Sequence, residues 1–298
     1  MTNLTKPNYN FYKMHETHYN DRLNADVKDN PIWQITKTQE NALKAAFNEY
    51  EDLFKKNKLN QLKIYNFFNK AEKKDYNKLY RYSLAYFQHI KKEARYLNSD
   101  IPVSTCPFCD KNTADTLDHI VPKSETIGFP EFCDNPLNLI PMCSECNKHK
   151  STTFCDENGD LEFINLYIDK LPTNQQYLKV KIQLVITKKN KTLDVSYYID
   201  KNVITDAELY RKLDNTFNKL GIYEKYKDLA KDSLSVIAQK IIDSKLEGKL
   251  SKDELRQQII GYNNRINHWE ELLYREALLK DDIYDFLYTD YFNYHKGK

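Results

Sequence analysis

Apolar residues recur at helical spacing at both ends of this chain and alternate in between. From Thr38 to Phe54, the residues Leu43, Ala46, Phe47, Tyr50, Leu53 and Phe54 fall on one helix face. Asn30-Pro31 just before reads as a helix start, with Pro31 at the first helical position. Tyr76, Tyr80, Ala85, Phe87 and Ile90 also fit helices. Beyond residue 155 the pattern turns to strands: Leu161–Tyr167 after the turn Asn158-Gly159, then a hairpin of Leu178–Thr187 and Thr192–Ile199 about residues 188–191. Helices then return. Thr205-x-x-Glu208 reads as a capping box ahead of Leu209, Leu213, Phe217 and Leu220, with Gly221 as the stop. A second helix carries Leu229, Val236, Ile237, Ile241 and Ile242 to about Gly248. Ser251-x-x-Glu254 caps a third, ending near Gly261, and a fourth from about Asn263 carries Ile266, Trp269, Leu273 and Ala277.

Residues 105–150 follow a pattern of their own. Asp115–Pro122 reads as a strand, with Pro122 at its end, where a missing N–H does little harm. A loop from Ser124 to Asn135 leads to a second strand, Leu137–Met142, and a short helix from Cys143 through Lys150. Cys106-x-x-Cys109 precedes this hairpin and Cys143-x-x-Cys146 follows it. Four thiolates suit tetrahedral zinc with no ligand position left open, which makes a structural site. Cys133 and Cys155 are left over and read as buried or half-buried free thiols.

The segment resembles the HNH nucleases, whose zinc-stapled branch runs Cys-x-x-Cys, Asp-His-Ile-x-Pro, then Asn-x-x-x-Leu-Cys-x-x-Cys-Asn-x-x-Lys. Asp118, His119, Ile120 and Pro122 fit the first strand, Asn138 the middle asparagine, and Cys143, Cys146, Asn147 and Lys150 the last element. Met142 stands where leucine is usual, a volume-conserving change. The cysteine pairs are 33 residues apart, which leaves room for the hairpin. The resemblance covers residues 101–155, about a fifth of the chain. It implies a ββα-metal fold and phosphodiester hydrolysis leaving 5′-phosphate and 3′-hydroxyl ends. It implies His119 as general base, and Asp118 and Asn147 as ligands to a catalytic Mg²⁺ or Mn²⁺. Asn138 would be the asparagine that ties the loop and orients His119. Lys123, Lys148, His149 and Lys150 would contact phosphate, with metal ligation as a rival role for His149.

Composition changes this picture in three places. Only six glycines and nine prolines argue for long regular elements, and 23 tyrosines with 14 phenylalanines argue against disorder. Net charge is +2, so a nucleic-acid surface must come from local clustering. Residues 55–95 supply it, with twelve Lys/Arg against three acidic residues among interleaved aromatics. These lysines read equally as a phosphate-binding face or a solvated one, and the aromatics chiefly as core. The start, Met1-Thr2-Asn3-Leu4-Thr5-Lys6, shows no apolar signal region, and no apolar run approaches the ~18 residues that span a bilayer. With paired cysteines, this points to a reduced, cytoplasmic protein. His15 and His18 could form an i, i+3 metal pair but read better as packed or solvent-facing residues.

The expected fold is therefore α+β and predominantly helical. A ββα-metal module with a four-cysteine zinc site (101–155) lies between an N-terminal helical, basic-aromatic region (1–100) and a C-terminal β-hairpin plus helical region (156–298). The expected function is a metal-dependent HNH endonuclease acting on DNA, in restriction or anti-phage defence. Double-strand cutting from one site would call for a homodimer or a second protein. The alternatives are a nuclease acting on RNA or branched DNA, and a zinc-dependent nucleic-acid-binding or partner-docking protein with an idle site.

Overall fold

The computed structural model describes residues 1–25, 36–95, 104–124, 128–188, 190–248, 250–261 and 265–290. The helix start at Asn30-Pro31 and the fourth-helix start at Asn263 lie outside them. The chain packs as two units, Met1–Leu171 and Pro172–Lys298, so the three stretches of the sequence pattern distribute over two packed bodies. Among the described residues there are helices and two small antiparallel sheets.

The first unit begins with helices α1 (Phe11–Ala25), α2 (Glu40–Lys55), α3 (Lys70–Tyr76) and α4 (Ala85–Arg95). Helix α2 buries Leu43, Ala46, Phe47, Tyr50 and Phe54, the stripe its spacing predicts. Asn69 caps α3: its side chain accepts from the Ala71 and Glu72 amides, while Glu72 reaches back to the Asn69 amide. Strands β1 (Thr116–His119) and β2 (Leu139–Met142) then pair, His119 opposite Leu139 and Thr116 opposite Met142. Helix α5 (Ser144–Lys150) completes a ββα arrangement. Both strands are shorter than their patterns predict, and Asn138 ends a single 3₁₀ turn, Pro136–Asn138, instead of lying within the second strand.

The hairpin has no private core. Leu117 and Leu139 pack with Phe87 and Ile90 of α4. Tyr80 and Tyr82 donate from the segment before α4 to the main-chain oxygens of Leu117 and Asp115. The aromatic residues of the basic stretch therefore serve largely as core and struts, while Lys55, Lys56, Lys58, Lys63, Lys70, Lys74, Lys78 and Arg81 stay exposed.

The expected strand at Leu161–Tyr167 is absent. Cys155 and Leu161 form a lone β-bridge, and a turn follows. Asn165 is the reason. Its side chain accepts from the Tyr167 amide, its carbonyl accepts from Ile168 and Asp169, and Asp169 accepts from the Asn165 amide. Such local side-chain bonds compete with a ladder, while Leu161, Ile164, Leu166 and Tyr167 are buried all the same.

In the second unit, β3 (Leu178–Ile186) and β4 (Lys191–Ile199) pair along their whole length, Ile186 opposite Lys191. Helices α6 (Ala207–Lys219), α7 (Ile222–Glu247), α8 (Lys252–Gly261), α9 (Trp269–Leu279) and α10 (Asp281–Asp285) follow. The cap of α6 is Asp206, whose carboxylate accepts from the Leu209 amide, and not Thr205 as the capping-box reading had it. An aspartate one residue later offers a charged acceptor at the positive helix end. The Ser251–Glu254 box forms as read, each side chain bonding the other's amide. Gly221 and Gly248 take φ of 66° and 64°, the left-handed conformation that ends a helix without a Cβ penalty. No helix among the described residues is long and apolar enough to cross a membrane.

Candidate active site and metal centre

The first knuckle turns at Asp110, which adopts φ 48° just after Cys109, a conformation aspartate tolerates better than most residues. The Asp110 amide bonds the Cys106 carbonyl, and the Cys106 amide bonds the Asn112 carbonyl. The second knuckle is the start of α5, where the Cys146 amide points at Cys143 Sγ at 3.4 Å. All four sulfurs are buried and lie within 4.8 Å of one another. Cys109 Sγ and Cys143 Sγ are 3.8 Å apart, the edge of a tetrahedron whose metal–sulfur bonds are ≈ 2.3 Å. The Cys143 amide donates to Cys106 Sγ at 3.4 Å. Hydrogen bonds within the cluster push the Cys109 and Cys143 thiols down and the Cys106 and Cys146 thiols up, so without an ion the four sulfurs share their protons. A buried set of sulfur donors with tetrahedral spacing fits zinc. All six cysteines are free of disulfides. Cys133 is buried and Cys155 half-buried, its thiol raised to about 11 chiefly by burial.

A cleft of about 780 Å³ opens beside this staple. Asp118, His119, Lys123 and Asn147 line it, with Thr116, Leu117, Ser151 and Thr152. Successive strand residues face opposite sides, yet Asp118 and His119 both reach the cleft because β1 ends at His119. Asn147 is tied to the same strand by its Nδ2, which donates to Thr116 Oγ1 at 3.2 Å, leaving its side-chain oxygen for other partners. Asp118 Oδ2 is buried without a hydrogen bond. That oxygen, with the Lys150 ammonium 2.9 Å away but not hydrogen-bonded to it, is a hard donor in a cleft shared with a carboxamide, of the kind that suits a divalent ion such as Mg²⁺.

His119 is 6 % exposed, and its Nε2 stands 2.9 Å from the Cys133 carbonyl oxygen. A carbonyl only accepts, so Nε2 carries the proton and Nδ1 the lone pair. Burial lowers the ring's pKa to about 3, opposed by the Cys133 carbonyl and assisted by Lys123 and Lys150. The ring is therefore neutral at physiological pH. Asn138 sits behind it, fully buried, and uses its whole amide: Nδ2 donates to the Val121 and Phe132 carbonyls, and Oδ1 accepts from the Val121 amide and Tyr50 hydroxyl.

The other expected contacts separate. Lys123 lines the cleft, its ammonium over the Tyr80 ring. Lys148 and His149 are exposed outside the lining. His149 lies about 200° round α5 from Asn147. Lys150 departs from its expected phosphate role: it is 5 % exposed, its Nζ donating to the His119 carbonyl at 2.7 Å and standing 2.9 Å from Asp118 Oδ2. The latter is a charge contact without hydrogen-bond geometry. His15 and His18 are packed, bonded to the Asp134 carboxylate and the Leu79 carbonyl. Asn77, Tyr80 and Tyr82 form a cleft wall that motif spacing did not reveal. Their only sequence signal was a basic-aromatic run ahead of the first cysteine pair.

The loop behind His119 carries one strained acid. Glu131 is 1 % exposed, with Oε1 unpartnered. Burial raises its carboxyl from 4.5 to about 7, with its own amide and Lys73 opposing. Folded Glu131 thus holds a proton that the unfolded chain has lost between those values, so stability falls as pH rises from about 4.5 to 7. The difference is worth about 3 kcal/mol. Glu131→Gln should match the wild type near pH 4.5 and exceed it by up to that amount at pH 8, in urea melts at both values. A gain that does not grow with pH would exclude Glu131 as the source.

Comparison with known proteins comes to the same segment. The family model described as "HNH endonuclease" matches residues 106–153. The chain is also similar to Protein ea31 of Escherichia phage lambda, 26% identical over 211 residues that cover 65% of this chain and 69% of that protein. No solved structure matches.

Proposed function

We propose, from the premise that residues 106–153 are an HNH endonuclease module, that this chain hydrolyses phosphodiester bonds in DNA with the help of a divalent ion. The observation that carries the reading is the fixed tautomer of His119. Its Nε2–H is committed to the Cys133 carbonyl, which leaves Nδ1 unprotonated on a neutral ring that lines the cleft. A general base needs a nitrogen of that kind, within reach of a water.

In this reading Cys106, Cys109, Cys143 and Cys146 would hold zinc, which would fix the two knuckles and take no part in chemistry. Asp118 and Asn147 would hold a catalytic Mg²⁺ or Mn²⁺, which would supply charge neutralisation at the phosphate and at the departing 3′-oxygen. His119 Nδ1 takes the proton of the attacking water. Lys150 fixes Asp118 and the His119 main chain from behind. Asn138 holds the loop that receives His119 Nε2. Lys123 contacts phosphate at the cleft, and Lys148 and His149 do so further out. The setting we propose is restriction or anti-phage defence, with a homodimer or a second protein supplying a second cut.

The test is cleavage of supercoiled plasmid and of RNA and branched-DNA oligonucleotides, with Mg²⁺ or Mn²⁺ and with excess chelator. Metal-dependent conversion of plasmid to nicked or linear DNA is the expected result. Preferential cutting of RNA or junctions would move the substrate class. Tight binding with no cleavage in any metal would replace the nuclease by a docking protein.

A further inference from the structure

We infer that His15 and Asp134 form a buried positioning pair that sets the tautomer and aim of His119 through the peptide between Cys133 and Asp134. The activity arm of this inference rests on the nuclease reading, while its spectroscopic arm does not.

The Cys133 carbonyl that receives His119 Nε2 belongs to that peptide. Five contacts, from elements outside the ββα hairpin or behind it, hold the residues that flank this peptide. His15 Nδ1 on α1 meets both Asp134 carboxylate oxygens, at 3.0 and 2.9 Å. The Tyr86 hydroxyl donates to the Asp134 carbonyl at 2.9 Å. Cys133 Sγ donates to the Tyr76 carbonyl at 3.7 Å, and Asn138 Nδ2 to the Phe132 carbonyl at 3.1 Å. The Tyr76 hydroxyl closes the ring at His15 Nε2, 3.4 Å away.

The pair is unusual in its depth. The two side chains are 1 % and 0 % exposed. A buried ionisable pair gives little net stability over apolar packing of the same volume, and its better-attested use is to specify one arrangement. Here that arrangement fixes one carbonyl oxygen. Should the oxygen turn away, His119 loses the acceptor that keeps the proton on Nε2 and the lone pair on Nδ1. His15 and Asp134 touch no cleft-lining side chain by these bonds, so they are positioning residues and not catalytic ones.

The test uses the full, zinc-loaded chain labelled with ¹⁵N, with His119 identified by the signal lost in His119→Gln. In the wild type the His119 ring should be nearly pure Nε2–H. In His15→Leu a mixture of tautomers is expected. kcat on plasmid should fall about ten- to a hundredfold, as for a misaimed group, with KM within about twofold and zinc content unchanged. His15→Asn places an amide donor where Nδ1 stands and should recover most of both signals. A folded His15→Leu with the wild-type His119 spectrum and wild-type kcat would overturn the proposal. Should His15→Leu fail to fold, Asp134→Asn carries the same readouts with a hydrogen-bonding partner retained. Should the wild type cut no DNA, the nuclease reading falls, and the tautomer measurement still decides this one.

Discussion

Stripping the metal from Cys106, Cys109, Cys143 and Cys146 is expected to lower the melting temperature of the Met1–Leu171 unit by more than about 10 °C. Structural zinc in small domains carries about 10–16 kcal/mol of apparent binding energy, against about 5–15 kcal/mol for the whole stability of a typical domain. Not all of it is lost here, because Phe87 and Ile90 still grip Leu117 and Leu139. Even about 5 kcal/mol moves the midpoint of a 150–250-residue protein by about 10–20 °C. Cys109→Ser should behave as the chelated protein does. Elemental analysis should find one zinc per wild-type chain and less than stoichiometric zinc in the variant. Equal melting curves with and without chelator would remove the staple.

His119→Ala is expected to lose at least ~100-fold in kcat, within the range a positioned general base contributes. Alanine also leaves a hole at a buried ring, so a second variant separates chemistry from folding. His119→Gln places an amide N–H near the position of Nε2, where it can still donate to the Cys133 carbonyl, but an amide cannot take a proton. Both variants should lose cleavage, and the glutamine variant should keep its zinc and melt within a few degrees of the wild type. Cleavage by His119→Gln at the wild-type rate would take the base role away from this residue.

Spacing made the four cysteines legible, because a metal cage is built from two short knuckles, each local in sequence. Helical stripes such as that of α2 were legible for the same reason, as was the Ser251–Glu254 box. What escaped depends on distant partners. Leu161–Tyr167 has the composition of a strand, and the Asn165–Asp169 turn overrides it. Lys150 sits in a basic cluster that reads as phosphate contacts, yet Asp118 and the His119 carbonyl draw it inward. His15 is 119 residues from Asp134, and nothing in local periodicity links them. Tyr80 and Tyr82 belong to a run whose aromatics read as core, but spacing did not show that their hydroxyls brace Leu117 of β1 and Asp115 just before it.

The packing of Phe87 and Ile90 against Leu117 and Leu139 has a consequence for protein engineering. The matched segment is not a cassette. Excised at residues 106–153, it would carry its metal cage intact but present two naked leucines where α4 had been. Transplanting the matched segment into another scaffold would mean moving the preceding helices with it, and drift in those helices would be felt at the hairpin.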